Sequence, residues 1–258
     1  MGEFSGRTAL VTGAGRGIGR AVALGLARAG AGLALGARTA AEIEAVATEI
    51  RGLGGRAVAG ACDVSRPDEV RRLFEQARAA LGPVDLLVNA AGVAPSALLH
   101  RTTTEQWRAA IDTNLSGCFY TLREALPDMI ERGFGRVVNV ASVAGKTGYP
   151  YIAAYAASKH GVLGLTKCAA LETAAKGVTV NAVCPGYVDT PMTDASVARI
   201  VERTGLDPAE VRKRLEDMSP QRRLFSVDEV AALVLYLCGE AARGITGQAL
   251  SLDGGTVV

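Results

Sequence analysis

The chain has 258 residues, of which 49% are hydrophobic and 21% charged, a composition that excludes an intrinsically disordered protein. Size scaling buries about 70% of the unfolded surface, enough for a core without disulfides or structural metal. Lys and Arg total 28 against 26 Asp and Glu, so a net charge of +2 excludes a general polycation for nucleic acid or membrane surfaces.

Short apolar runs alternate with longer helical patterns along the chain. The predicted strands are 8–12, 33–37, 57–63, 84–89, 136–141, 178–184 and 249–252. Several are continuously apolar, as suits parallel strands covered on both faces. The predicted helices are 18–28, 40–53, 67–81, 105–133, 153–175 and 226–238. Glycines at 30, 54, 82, 133 and 177 follow helical patterns, where a C-terminal stop belongs. This β/α alternation predicts one α/β domain: a Rossmann-like, doubly wound parallel sheet of about seven strands, with helices on both faces.

Residues 192–227 break the rhythm, with 13 charged residues in a 36-residue insertion. Short helices are predicted at 196–204 and 208–218. An insertion at the C-terminal edge of a parallel sheet lies where such sheets bind ligands, so a helical substrate lid is expected. The basic run Arg212-Lys213-Arg214 has acidic neighbours and reads as a solvated helix face. The five cysteines form no C-x-x-C, and buried reduced thiols are expected. With only two histidines, no metal site is expected. The N-terminus has no basic and apolar leader pattern, and no run of 18 apolar residues occurs. A cytoplasmic protein without a membrane partner is the resulting expectation.

Chemistry concentrates in a few motifs. Gly13, Arg16, Gly17, Ile18 and Gly19 lie between the first strand and first helix. Such a loop offers helix N-terminal N–H groups to a pyrophosphate. The second strand ends Ala37-Arg38, with no carboxylate for a ribose 2′-hydroxyl and a guanidinium suited to a 2′-phosphate. Tyr155 and Lys159 lie one helical turn apart. A nearby ammonium favours phenolate over phenol, which suits a general acid or base. Ser142 ends the fifth strand, and its hydroxyl can stabilise a developing oxyanion.

The spacing T-G-x-x-x-G-I-G, with Ser142, Y-x-x-x-K at Tyr155 and Lys159, and Asn114, resembles the short-chain dehydrogenase/reductase family over nearly the whole chain. The resemblance is nearest to 3-ketoacyl-thioester reductases and aromatic-polyketide ketoreductases. It implies a catalytic tetrad of Asn114, Ser142, Tyr155 and Lys159. Tyr155 would donate the proton, Lys159 would hold the nicotinamide ribose and Asn114 a relay water. It implies that Arg16 joins Arg38 at the 2′-phosphate and that Asp63 and Val64 contact adenine. Asn89 and Gly92 match the family's N-N-A-G, although Ala90 replaces the second Asn. Pro185, Gly186, Val188 and Thr190 would line the nicotinamide.

The expected cofactor is therefore NADP(H), with NAD(H) the lesser option. Leu98, Tyr149, Tyr151 and Tyr187 are expected in the substrate pocket. The first expectation for activity is reduction of a β-keto group, free or carried on coenzyme A or acyl carrier protein. Alternatives are a dehydrogenase of 3-hydroxybutyrate or another small or cyclic secondary alcohol, and a non-catalytic NADP(H)-binding regulator. The family also implies a homotetramer packed through the 105–133 and 153–175 helices.

Overall fold

A computed structural model describes residues 2–257. Its strands are β1 (Thr8–Thr12), β2 (Gly32–Ala37), β3 (Ala57–Ala61), β4 (Leu86–Asn89), β5 (Gly135–Val140), β6 (Val178–Pro185) and β7 (Ala249–Leu252). They form one sheet in the order β3-β2-β1-β4-β5-β6-β7, and every pairing is parallel. The direction of winding reverses between β1 and β4, which opens a crevice at their C-terminal ends.

The helices are α1 (Gly17–Arg28), α2 (Ala40–Gly52), α3 (Pro67–Leu81), α4 (Thr104–Ala110), α5 (Gly117–Glu131), α6 (Ala153–Thr173), α7 (Pro191–Thr204), α8 (Pro208–Glu216) and α9 (Val227–Cys238). Strand residues alternate between two cores because successive side chains point to opposite faces. Ala9, Val11, Leu86 and Val88 pack with residues of α1, α2 and α9, including Val22, Ile43, Val230 and Val234. Leu10, Leu87 and Val137 pack with Val70, Phe74, Leu122 and Met129 of α3 and α5. Full burial of each such leucine or phenylalanine contributes about 1.5–3 kcal/mol.

Two expectations need correction. The helix expected over 105–133 is interrupted: a π-helical stretch, Ile111–Ser116, separates α4 from α5. Wider i→i+5 turns redirect the side chains there, and Asn114 sits inside them, fully buried. Helical periodicity alone gives no sign of the inserted turn. Among the cysteines, Cys62, Cys118, Cys184 and Cys238 are buried, but Cys168 on α6 is exposed. Burial pushes the Cys62 and Cys238 thiols up to about 12, so these two are inert at neutral pH.

The insertion after β6 is pinned at its base by a parallel bridge between Val188 and Phe225. Phe225 N–H donates to the Tyr187 carbonyl (2.9 Å), and Asp189 N–H to the Phe225 carbonyl (2.8 Å). Helices α7 and α8 fill the excursion, with α7 starting five residues earlier than expected, at a proline suited to the first helical turn. The basic run is paired: Arg212 with Asp189 and Asp194, Lys213 with Asp217, and Arg214 with Glu210.

Candidate active site

The glycine loop lies at the winding reversal. A Cβ on Gly13 would come 2.8 Å from the Ala91 backbone, and one on Gly19 only 2.2 Å from the Gly13 carbonyl. These contacts keep the loop tight between β1, β4 and α1. Arg16 gives α1 no side-chain cap, and the first turn of α1 holds no acid. Side chains of Thr103, Thr190, Asp207 and Ser226 cap α4, α7, α8 and α9, whereas α2, α3 and α6, like α1, start without one. The free N–H groups at the start of α1, at Gly17 and Ile18 and beside this tight glycine loop, fit a dinucleotide pyrophosphate. Thr190 reaches the same place from the far side, its methyl 3.4 Å from where a Gly17 Cβ would stand.

At the other end of the crevice, Arg38 is exposed just beyond β2. Asp63, after β3, accepts from the Ser65 N–H (3.0 Å) and hydroxyl (2.7 Å). Burial raises its carboxyl, but these bonds and the nearby Arg38 and Arg66 outweigh it and hold the group below its ordinary value. Asp63 is therefore an ionised acceptor at neutral pH. The Val64 side chain is buried against Gly117, where an added Cβ would come 2.8 Å from it.

The Asn89 side chain is committed elsewhere. Its Nδ2 donates to Asn139 Oδ1 (2.9 Å), and its Oδ1 accepts from the Thr121 hydroxyl (2.8 Å). Asn139 Nδ2 donates in turn to the Thr166 hydroxyl (2.9 Å). This buried network ties β4 and β5 to α5 and α6, so Asn89 offers only main-chain atoms to a ligand. The Thr12 hydroxyl accepts from the N–H groups of Ala90 and Ala91 (3.2 and 3.3 Å), joining β1 to the turn after β4.

The four residues of the expected tetrad arrive from three elements. Asn114 Oδ1 accepts from Val93 N–H (2.8 Å), while its Nδ2 donates to the Val93 carbonyl (2.9 Å) and Ser158 Oγ (2.9 Å). Ser158 Oγ donates to the Tyr155 carbonyl (2.7 Å), so it joins Asn114 to the turn that carries Tyr155. Lys159 is buried, donates to the Val140 carbonyl (2.7 Å) and lies 5.7 Å from the Tyr155 ring centroid. A Cβ on Gly92 would stand 3.3 Å from Asn114 Oδ1 and 3.9 Å from Lys159 Nζ, so both polar groups converge on this glycine. Ser142 Oγ accepts from Ala144 N–H (3.1 Å), which leaves its own proton to donate. The short turn after Ser142 packs on α6, where a Gly145 Cβ would come 2.9 Å from the Lys159 carbonyl.

Ser158 stands outside the expected site residues, although it bonds directly to Asn114. Its place beside Lys159 in Y-x-x-S-K was the available signal, but nothing in the sequence distinguished it from an ordinary helix serine.

The remaining expected positions lie on the turns after β6 and before α6 and on the loop before α4. Gly186 N–H donates to the Leu252 carbonyl (3.0 Å), seating the Pro185-Gly186 turn on the C-terminal turn. Thr193 Oγ1 donates to the Val188 carbonyl (2.6 Å). Burial raises the Tyr187 phenol, with smaller contributions from Tyr155 and Tyr149. Burial, then Asp253, raises Tyr149 likewise. Leu98, Tyr151 and Tyr187 remain partly exposed. Tyr151 has φ +71°, a left-handed conformation rare for a bulky residue. Its carbonyl accepts from Ala97 N–H (2.8 Å), tying the 93–99 loop to the start of α6.

Helix α7 reaches over that loop: Arg199 donates to the Ala94 carbonyl (3.3 Å) and Arg203 to the Ser96 carbonyl (3.1 Å). Among the described residues, no group of three or more His, Cys, Asp or Glu side chains could hold a metal ion, and no helix is long and apolar enough to cross a membrane.

The profile of the short chain dehydrogenase family matches residues 7–200. A D-beta-hydroxybutyrate dehydrogenase of Rhizobium meliloti is 40% identical over 252 residues, covering 96% of this chain and 98% of the relative. A 3-oxoacyl-acyl-carrier-protein reductase of Staphylococcus aureus is 38% identical over 250 residues, covering 96% and 97%. Among solved structures, a variant of actinorhodin polyketide ketoreductase with NADPH superposes with TM-score 0.94 at 39% identity, covering 99% of each chain. The chain belongs to the short-chain dehydrogenase family, and is an oxidoreductase that interconverts hydroxyl and keto groups with a nicotinamide cofactor.

Proposed function

We propose that the protein is an NADPH-dependent ketoreductase whose substrate is a β-keto thioester or a polyketide-like ketone. The observation that carries the reading is the convergence of Asn114 and buried Lys159 on Gly92, with Tyr155 one turn away. The nicotinamide supplies a hydride when bound. Gly13, Gly17, Ile18 and Gly19 hold its pyrophosphate, and Asp63 with Val64 takes the adenine. Pro185, Gly186, Val188 and Thr190 face the nicotinamide, where Tyr155 and Lys159 hold the ribose.

Tyr155 gives its hydroxyl proton to the substrate oxygen. Lys159, fixed by the Val140 carbonyl, favours the phenolate left behind. Ser142, with its proton free, donates to the same substrate oxygen and stabilises charge developing there. Asn114 keeps Val93 and Ser158 in place beside Lys159. The 192–227 segment serves as a lid, latched to the 94–96 loop by Arg199 and Arg203. Leu98, Tyr149, Tyr151 and Tyr187 wall the substrate pocket.

The absence of a carboxylate at the end of β2 and the exposed Arg38 support NADPH over NADH. Arg38→Ala should raise the KM for NADPH at least about tenfold, the scale of losing one charge-assisted phosphate contact, and leave NADH nearly unchanged. Equal effects on both nucleotides would remove the assignment.

The 40% identity to a hydroxybutyrate dehydrogenase favours a second reading, a small-alcohol dehydrogenase. Acetoacetyl-CoA assayed beside simple ketones separates the two: the proposed reading requires faster turnover of the thioester. Loss of Tyr or Lys would suit a non-catalytic regulator, but Tyr155 and Lys159 are both present. Exposed Phe119 and Ile130 on α5 and Leu171 on α6 support a homotetramer built on these helices, and gel filtration at the monomer position would refute it.

A further inference from the structure

The second strand ends without an acid, but the structure brings one to the phosphate end of the crevice from the next helix. Glu42, in the first turn of α2, has Oε1 3.8 Å from Arg16 Nη1. Its side chain lies against the glycine loop: a Cβ on Gly15 would come 2.8 Å from Glu42 Cβ and 2.9 Å from its Oε2. Four residues earlier, Arg38 acts electrostatically on Asp63. Of the two arginines available to a 2′-phosphate, Arg16 therefore has a carboxylate beside it.

We propose that Glu42 is a specificity-determining residue of the adenosine end, whose carboxylate holds Arg16 and opposes a 2′-phosphate. This rests on the reading of the crevice as a nicotinamide-nucleotide site. A 2′-phosphate within reach of the Arg16 guanidinium must approach an anion paired with that same group. Ion pairing to Glu42 competes with pairing to phosphate, and like charges add a direct repulsion. The chain then discriminates between the two nucleotides less sharply than two free arginines would. Arg16 and Glu42 are both partly solvent-exposed, with side-chain exposures of 67% and 37%, so the restraint is moderate in size.

The test is calorimetric titration of the full chain with 2′,5′-ADP and 5′-AMP, which differ only in the 2′-phosphate and need no turnover. Glu42→Gln removes the charge and keeps the shape of a partly exposed side chain. It should tighten 2′,5′-ADP about three- to tenfold, the scale of a partly screened charge pair, and leave 5′-AMP within about twofold. The gain should shrink in an Arg16→Ala background and with added salt. Unchanged affinity for 2′,5′-ADP, or equal changes for both probes, would overturn the role of Glu42 while the nucleotide site stands. If the wild type binds neither probe, the site reading fails and the proposal falls with it.

Discussion

Replacing Asn114 with alanine removes three hydrogen bonds at once. The Val93 N–H and carbonyl lose their side-chain partner, and Ser158 Oγ loses its donor. Ser158 keeps its bond to the Tyr155 carbonyl, so the main loss falls on the two Val93 groups. A buried polar group left unpaired costs about 1–3 kcal/mol. Val93 is half-buried, which admits water and keeps each group near the lower end. The expected loss is therefore about 2–3 kcal/mol, or a fall in Tm of about 4–6 °C for a chain of this size. Urea titration and calorimetry measure it directly. Because Val93 leads into the loop that α7 latches, kcat should fall as well, while 2′,5′-ADP affinity, set at the far end of the crevice, stays within about twofold. A stability loss below about 0.5 kcal/mol would mean that Asn114 does not hold the Val93 groups, since surface substitutions alone produce that much.

Further expectations concern the lid and acid stability. The double variant Arg199→Ala with Arg203→Ala removes two bonds from α7 to the 94–96 loop, and should raise the ketone KM about three- to tenfold, with nucleotide Kd unchanged. A shift in nucleotide affinity instead would contradict the lid. Glu229 is held at about 2 by its hydrogen bonds to Arg223 and to the Ser226 backbone. A carboxyl lowered on folding stabilises above its unfolded value of about 4.5 and loses that contribution as pH falls toward 2. Arg223→Gln should therefore lower Tm by about 1–2 °C at pH 7 and by less at pH 3.5, since the pair is largely solvent-screened. An equal gap at both pH values would contradict the assignment.

The seven strands are visible in the amino-acid order because parallel strands covered on both faces are apolar almost throughout, and glycines punctuate the helices between them. The motif residues are legible for a related reason: close backbone approach at Gly13 and Gly19 admits only glycine, and Tyr155 with Lys159 needs only helical spacing. Other features depend on tertiary contacts that no local pattern carries. The π-helical turn at Asn114 arises where the side chain gains partners 21 and 44 residues away in sequence. The Asn89 side chain matches the motif, yet its place in the sheet network depends on Thr121 and Asn139. Cys168 lies among residues of mixed character on α6, and only the packing of that helix shows which side faces solvent. Glu42 is one of several acids in the second helix, and only the folded loop sets it against Arg16.

The claim on which the account rests is that the Tyr155 hydroxyl supplies the proton. Tyr155→Phe, assayed by NADPH oxidation with acetoacetyl-CoA and by calorimetric NADPH binding, tests it most directly. In this variant kcat should fall to background with NADPH affinity within a few fold of wild type, since one hydroxyl is lost while Lys159 keeps its bond to the Val140 carbonyl. Turnover within about tenfold of wild type would contradict it, because loss of a general acid costs about a hundredfold or more.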